Sequence, residues 1–444
     1  MAAQPRHLHR LLTLKAAAAQ LGLELPKASL LQSTGRFMPL AGLRLLLVTP
    51  QYCRVDNAEA VVNRKLVSAL TRHGATVDVL AQDSLHRVTI DFSVHGAGPG
   101  ARARGERFQG ALGGLFGEAR RLAGLPLGSL MFELRTQWNQ AYWARGAGKQ
   151  AVRLFQRNPY HVLFSTTGYG HVAALRIHRQ TKVPWVASWN DPFPYAKYPP
   201  PYGRGAGAHI SGRHKRLLEQ VGRTASWHTF PAARLRRYML EYLPDQVQER
   251  SSVIPHLFLN QAEEVPAPHG STFILCHAGD LHRQRRPETF LQALSQLRGH
   301  LKAGDSVRFR FVGQDQAGLA QEAVRAGLQD VIECWPWGSF EDSLAAMRAS
   351  HVLVLIEAPL AEGIFLPSKF TDYLQAGRPI LAVSPRIGTL ADLLNTHGGG
   401  LVADCTDPNA IFGALRTLYP GSGVIPVVRG GPEGGPMRVW THLW

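Results

Sequence analysis

The sequence predicts an α/β protein with two doubly wound domains, and three observations lead to this prediction. The chain has 444 residues and 45% hydrophobic content, which is too long for one ordinary core and suits two domains. Short apolar segments alternate with amphipathic helical patterns in two blocks, 43–262 and 271–419, as expected for parallel sheets covered by helices. A polar stretch at 260–271 contains two prolines and separates the blocks as a linker.

The first block opens with a βαβ unit. The mostly apolar run 43–49 predicts a buried strand, residues 60–70 show helical spacing, and 76–81 predict the next strand. After a less regular stretch, further strands are predicted at 161–165 and 184–188. The unit is the start of a parallel sheet, so we expect a Rossmann-like domain here.

The second block alternates more regularly. Its helices have clear start signals: Ser339 precedes Asp342 by three residues, and Asp407 precedes Pro408. Six short strands between helices predict a second Rossmann-like domain. These strands are predicted at 273–276, 308–313, 331–335, 351–358, 379–384 and 400–404.

Composition limits the classes of function. The formal net charge of +17 favours anionic partners such as nucleic acid, acidic membrane surfaces or phosphorylated small molecules. The basic residues are scattered and no nucleic-acid-binding motif is found, so no nucleic-acid partner is predicted. The four cysteines are far apart without a CxxC pair, which predicts no zinc site or disulfide framework and favours a reducing compartment. No apolar run approaches the length of a membrane span, and we expect a cytoplasmic protein.

The two ends differ from the blocks. Residues 1–42 form a basic extension. We expect it to be a helix that lies on the surface, or a segment included because the start of the reading frame was assigned too far upstream. The tail at 420–444 is rich in Gly and Pro and has no helical period, so we expect loose order there. A truncated or shifted reading frame is our hypothesis for this tail.

The loop after the first strand of the second block carries candidate phosphate ligands. Gly279 lets the backbone turn closely, and Arg283, Arg285 and Arg286 precede a helix that begins near Pro287. Guanidinium groups beside a helix N-terminus suit a diphosphate, and Arg286 is the principal candidate. The alternative is a solvated basic loop.

A second candidate segment follows the fourth strand of this block. Glu362 precedes a helix that opens at Ser368 and carries Lys369 and Asp372 in its first turns. A carboxylate at Asp372 is suited to accept hydrogen bonds from both hydroxyls of a ribose. The alternative is that Asp372 only caps its helix and that Lys369 lies on the surface.

The run 366–373, followed by 376–380, resembles the nucleotide-sugar segment of GT-B glycosyltransferases, family 4-like. In that family a carboxylate at the position of Asp372 binds the nucleotide ribose, although Glu is usual there. The loop with Gly279 and Arg286 is similar to the family's phosphate loop. Asp280 replaces the family's first cation, and Arg283 is a candidate substitute.

The resemblance covers about 43–419 and is more specific in the C-terminal half. It implies a GT-B fold with two Rossmann-like domains facing a central cleft. It also implies transfer of a sugar from a nucleoside-diphosphate sugar with retention at the anomeric carbon, without a metal or a further cofactor. The acceptor would be lipid-linked, or a glycan or polysaccharide. Two alternatives remain open: a GT-B nucleotide-sugar epimerase and a non-catalytic GT-B binding protein.

Two residues of the first block are catalytic candidates. His171 follows a strand, where we expect it to orient the acceptor or donor; the alternative is a surface or helix-cap histidine. Asp191 ends a strand and is expected to position the acceptor, although Asp-Pro is also an ordinary turn.

The basic, amphipathic stretch 102–145 suits an anionic bilayer surface. Together with the net charge of +17, it supports the hypothesis of peripheral attachment to the inner face of the cytoplasmic membrane. The alternative is that the apolar face of this stretch packs on the sheet.

Overall fold

The structure is a computed structural model that describes residues 40–52, 57–81, 85–88, 143–157, 159–258, 268–281, 284–314, 316–336 and 338–420. Nearly all of the predicted extension, most of the stretch 102–145 and the tail beyond 420 lie outside the described residues. Within the described part, no helix is long and apolar enough to cross a membrane.

The chain forms two compact units, and the division is not a single cut. The second unit takes the chain from Val253 onward, and it also includes Asp191–His209 and Pro231–Glu241. The first unit keeps the described residues up to Asn190, with Ile210–Phe230 and Tyr242–Ser252. Two segments of the predicted N-terminal block therefore belong to the C-terminal unit.

The first unit contains a seven-stranded sheet in the order β3-β2-β1-β4-β5-β6-β7. The pairs among β2, β1, β4, β5 and β6 are parallel, and β3 is antiparallel to β2. Residues 143–157 are also helical. The named elements up to the linker are β1 (Arg44–Val48), α1 (Ala58–Arg72), β2 (Thr76–Leu80), β3 (Leu85–Val88), β4 (Val162–Thr166), α2 (Thr167–Thr181), β5 (Trp185–Ser188), α3 (Gly212–Thr224), β6 (Trp227–Phe230), α4 (Ala233–Leu240), α5 (Gln246–Glu249) and β7 (Ser251–Val253).

The second unit contains a six-stranded sheet in the order β10-β9-β8-β11-β12-β13, with all pairs parallel. All six predicted strands of this block are confirmed, and the doubly wound α/β prediction is confirmed with them. Its elements are β8 (Thr272–Ala278), α6 (Glu288–Gly299), β9 (Ser306–Val312), α7 (Gln316–Arg325), β10 (Ile332–Trp335), α8 (Phe340–Arg348), β11 (Val352–Ile356), α9 (Ser368–Ala376), β12 (Ile380–Ser384), α10 (Thr389–His397), β13 (Gly400–Asp404) and α11 (Pro408–Leu418).

Local sequence signals place these elements. Every residue of β11 is buried, as expected for a central strand covered by helices on both faces. The Ser339 hydroxyl accepts from the Asp342 amide and the Asp342 carboxylate accepts from Ser339, which completes a capping box at the start of α8. Asp407 caps α11 through the amides of Asn409 and Ala410.

The order of the second sheet reverses between β8 and β11. In open α/β sheets, ligands bind beyond the carboxyl ends of the strands at such a switch point. Backbone pairing between these two strands is limited to two residue pairs, Leu275 with Val352 and Cys276 with Leu353. The two strands therefore separate toward their carboxyl ends, and this opening positions the candidate site.

Candidate active site

Side chains replace backbone pairing where β8 and β11 separate. The Tyr373 hydroxyl accepts a hydrogen bond from Ala278 N at 2.9 Å and lies 3.2 Å from the Val354 carbonyl, to which it donates. His277 Nδ1 lies 2.8 Å from the same carbonyl. Tyr373 and His277 are fully buried, so the walls of the opening are fixed by satisfied polar contacts.

Gly279 and Lys369 meet at the end of β8. Gly279 has φ +109, and a Cβ at this position would lie 2.9 Å from Lys369 Nζ. The absence of a side chain therefore makes room for the lysine, in addition to allowing the turn. Lys369 Nζ lies 3.1 Å from His277 Nε2 and 3.4 Å from the Asp280 carbonyl.

Arg285 and Glu357 form an ion pair at the same edge of the sheet. Arg285 Nε lies 3.1 Å from Glu357 Oε1, and the two side chains keep 20% and 5% of their surface exposed. Burial opposes the charge on Arg285, but Glu357, Tyr202 and Asp191 outweigh it and raise the pKa of the guanidinium. Within the described residues, neither Arg285 Nε nor Glu357 Oε1 makes a well-aligned hydrogen bond.

Asp191 joins this group from the segment Asp191–His209. The residue as a whole is exposed, yet lost hydration of its carboxyl raises its pKa to about 6. Arg285 and a hydrogen bond from Tyr198 act in the opposite direction, and Glu357 adds to the rise. The structure thus brings the predicted residue Asp191 next to the cations of the second unit.

Two helix starts face the end of the sheet without side-chain caps. Pro287 precedes α6 and Pro367 precedes α9, and neither supplies a capping hydrogen bond. Asp372 lies beyond the first turn of α9, which contains no acidic residue, so it does not cap this helix. It follows Lys369 by three residues, so both lie on one face of α9.

The remaining predicted phosphate ligands are placed differently. Arg286 is exposed and makes no ion pair with the part of the chain that the structure describes, while its neighbour Arg285 enters the site. Arg283 lies outside the described residues. Arg286 was predicted over Arg285 from its place in a loop that resembles the family's phosphate loop, and residue type alone cannot rank neighbouring arginines.

Glu362 is held by two arginines of α4. Arg234 Nη1 lies 2.6 Å from Glu362 Oε1, and Arg237 forms a second ion pair with the same oxygen. Arg234 also contacts Asp392 through Nε and Nη2, at 2.5 and 2.8 Å. The predicted donor contact of Glu362 thus competes with an ion-pair network inside the second unit.

His171 lies in the core of the first unit. Its side chain is fully buried, Nδ1 lies 2.8 Å from Ser165 Oγ, and its ring meets the edge of Trp189 at 4.2 Å. Burial, with a smaller contribution from His228, lowers its pKa well below the usual value. The side chain of His171 thus has no exposed surface in this structure, and its catalytic role stays a prediction. Its position at the start of α2 packs it inward.

Sequence reasoning missed His277, Glu357 and Tyr202. His277 and Glu357 are polar residues within or directly after apolar strand runs, and that signal was available. No sequence signal marked Tyr202, because its approach to Arg285 depends on the path of the segment Asp191–His209.

The comparison with protein families decides the identity of the second unit. Residues 272–420 match the family model described as Glycosyl transferases group 1. The C-terminal unit belongs to this family. The prediction of a group 1 glycosyltransferase is confirmed for this segment, and the switch point of its sheet is the candidate active site.

Solved structures share the fold of this glycosyltransferase. A sucrose-phosphate synthase from Thermosynechococcus elongatus aligns with a TM-score of 0.57 and 15% identity, over 87% of this chain and 92% of that chain. An α,α-trehalose 6-phosphate synthase from Burkholderia multivorans gives 0.54 and 13%, over 87% and 92%. HepE from Anabaena, in complex with UDP-glucose, gives 0.53 and 14%, over 87% and 92%. No curated protein sequence matches the chain. The likeness confirms the predicted GT-B fold.

Proposed function

We propose that this glycosyltransferase transfers a sugar from a nucleoside-diphosphate sugar to a glycan or a lipid-linked acceptor, with retention and without a metal. The observation that carries the proposal is the pair of recessed cations, Arg285 and Lys369, at the switch point beside two uncapped helix starts. Cations and helix N-termini together bind phosphate groups.

Each part of the site has a role in donor binding. Arg285 and Lys369 bind the diphosphate, Gly279 allows its close approach, and the Asp372 carboxylate accepts hydrogen bonds from the ribose hydroxyls. Anabaena HepE, which shares the fold, was crystallised with UDP and with UDP-glucose. These complexes support a nucleotide sugar as the donor class.

The chemistry needed from the protein is stabilisation of the leaving diphosphate. Negative charge develops on the diphosphate as the bond to the sugar breaks, and preorganised cations lower the energy of that transition state. Arg285 is held by Glu357 before the donor arrives, so little reorganisation is needed. This arrangement supplies the charge that a divalent metal provides in other transferases.

Asp191 is the candidate group for the acceptor. Its pKa of about 6 leaves it largely ionised at neutral pH, and it lies near Arg285. An ionised carboxylate there accepts a hydrogen bond from an acceptor hydroxyl and holds it beside the donor.

We expect one nucleoside-diphosphate sugar in a panel of UDP-, GDP- and ADP-sugars to raise the melting temperature by several degrees. A ligand at 100 times its Kd adds about 2.7 kcal/mol to the free energy of unfolding. Asp372→Ala should abolish this shift, because each lost hydrogen bond to a charged group is worth about 1.5–3 kcal/mol. Differential scanning fluorimetry measures both.

Asp372→Glu is the matched control, since it keeps the carboxylate and should retain most of the shift. A panel without any stabilising member would refute donor binding. Conversion of a donor to its epimer without an acceptor would identify an epimerase instead. Transfer that persists in EDTA, with a product of unchanged anomeric configuration by NMR, is the expected outcome with the correct acceptor.

The net charge of +17 supports a peripheral position on an anionic membrane surface. We expect the protein to float with vesicles that contain about 30% phosphatidylserine and to be released by salt, because a Debye length falls from about 10 Å at 0.1 M to 3 Å at 1 M. Vesicles of phosphatidylcholine alone are the control. Equal flotation with both vesicles, or none with either, would remove the membrane proposal.

A further inference from the structure

His277 is a buried polar residue that the donor-binding scheme leaves without a role. It is the penultimate residue of β8, fully buried, and its ring stacks on Phe311 with centroids 5.8 Å apart and an interplanar angle of 13°. A histidine that served only to fill space at this position would need no partner for its second ring nitrogen.

The contacts of His277 define its tautomer. Nδ1 lies 2.8 Å from the Val354 carbonyl, which can only accept, so Nδ1 carries the proton. Burial, and next the charge of Lys369, lower the pKa of His277 well below the usual value. The ring is therefore neutral, and Nε2 presents a lone pair.

That lone pair faces Lys369. Lys369 Nζ lies 3.1 Å from Nε2 and 3.4 Å from the Asp280 carbonyl, in the space left by Gly279. An ammonium group has three N–H bonds. These two acceptors take two of them and fix the orientation of the group, so the third N–H is available to another acceptor.

We propose that His277 is a positioning residue, which accepts a hydrogen bond from Lys369 and directs the remaining N–H of the lysine toward an anionic phosphate group. The proposal rests on the proposed function, in which this opening binds a diphosphate. His277 does not touch the donor; it acts through Lys369.

The charges around Lys369 explain why an acceptor is needed there. Burial, and next Arg285, lower the pKa of Lys369 to about 7, while Glu357, Asp280 and Asp372 raise it. A lysine whose pKa is lowered in this way loses its proton, and its attraction for phosphate, as the pH rises through about 7. A neutral acceptor at Nε2 favours the charged form.

His277→Phe tests the proposal, because it keeps the aromatic ring and removes both hydrogen bonds. His277→Gln is the conservative variant, since its amide oxygen can accept from Lys369. The rate of acetylation of Lys369 as a function of pH, followed by peptide mass spectrometry without any ligand, gives its pKa. We expect a fall of about one pKa unit in His277→Phe and recovery in His277→Gln. An unchanged pKa in a folded His277→Phe protein would overturn the proposal.

The tautomer of His277 can be measured in the wild-type protein, without the His277→Phe variant. The ¹⁵N spectrum of histidine-labelled wild-type protein should show His277 protonated at Nδ1, and Lys369→Met should move its Nε2 resonance. Protonation at Nε2 would overturn the proposal. Binding of inorganic pyrophosphate should be about tenfold weaker in His277→Phe at pH 8. No binding of pyrophosphate or donor by the wild type would contradict the proposed function, while the two ligand-free readouts would still decide the role of His277.

Discussion

Arg285→Met should lower kcat/KM for sugar transfer by about 100-fold or more and abolish thermal stabilisation by the donor. Removal of one preorganised charge-stabilising group typically costs 10²–10³ in rate. Arg285 is the recessed cation at the switch point, held by Glu357 at 3.1 Å. Methionine keeps the length and packing of the side chain but removes the charge. Steady-state kinetics and the melting-temperature shift measure the two effects.

The same substitution should lower the free energy of unfolding, because Glu357 loses its partner while 5% exposed. Breaking a buried ion pair costs about 3–5 kcal/mol. Adding Glu357→Gln should recover most of that stability without recovering transfer. Arg325→Met is the surface control, since Arg325 is 70% exposed in its pair with Glu322. Full activity in Arg285→Met together with its loss in Arg286→Met would instead assign the phosphate contact to Arg286.

Gly279→Ala should reduce donor affinity by about 10- to 100-fold, which corresponds to about 1.4–2.7 kcal/mol. The new methyl group would lie 2.9 Å from Lys369 Nζ and 3.1 Å from its Cε, so the lysine must move away. The backbone at φ +109 adds strain of about 1–3 kcal/mol. Isothermal titration with the donor measures the first effect, and chemical denaturation measures the second.

Gly270→Ala separates the two effects. Gly270 has φ +114, and a Cβ there would meet nothing within 4 Å. It should therefore lose a similar amount of stability and keep its donor affinity. Equal loss of affinity in both variants would show that backbone strain, rather than the displaced lysine, limits binding.

Much of the fold could be predicted because local pattern and tertiary environment agree. The run 351–358 is apolar because β11 is buried on both faces, and Ser339 with Asp342 marks a helix start that the structure caps. The short strand β3 was not predicted, because it lies in a stretch without a clear period. Asp191 became a candidate because it follows a strand of the first block, and Lys369 because it lies in the first turn of a helix of the second block, where phosphate binds readily.

The rest depends on contacts between distant parts of the chain. His171 was expected near a ligand from its place after a strand, but α2 turns its side chain inward against Trp189. The choice between Arg285 and Arg286 depends on the turn before α6, which residue type does not encode. Glu362 was expected to contact the donor, but in the structure its carboxylate forms an ion pair with Arg234.

The discontinuous makeup of the second unit limits how this enzyme can be dissected. A fragment that begins after the linker would lack Tyr202, which lies beside Arg285, and Arg234, which pairs with Glu362 and Asp392. The edge of its sheet that carries Arg285 would be exposed and its ion pairs would be incomplete. Exchange of this unit between related proteins would therefore need three pieces of chain, with Asp191–His209 and Pro231–Glu241 transferred along with the C-terminal sheet.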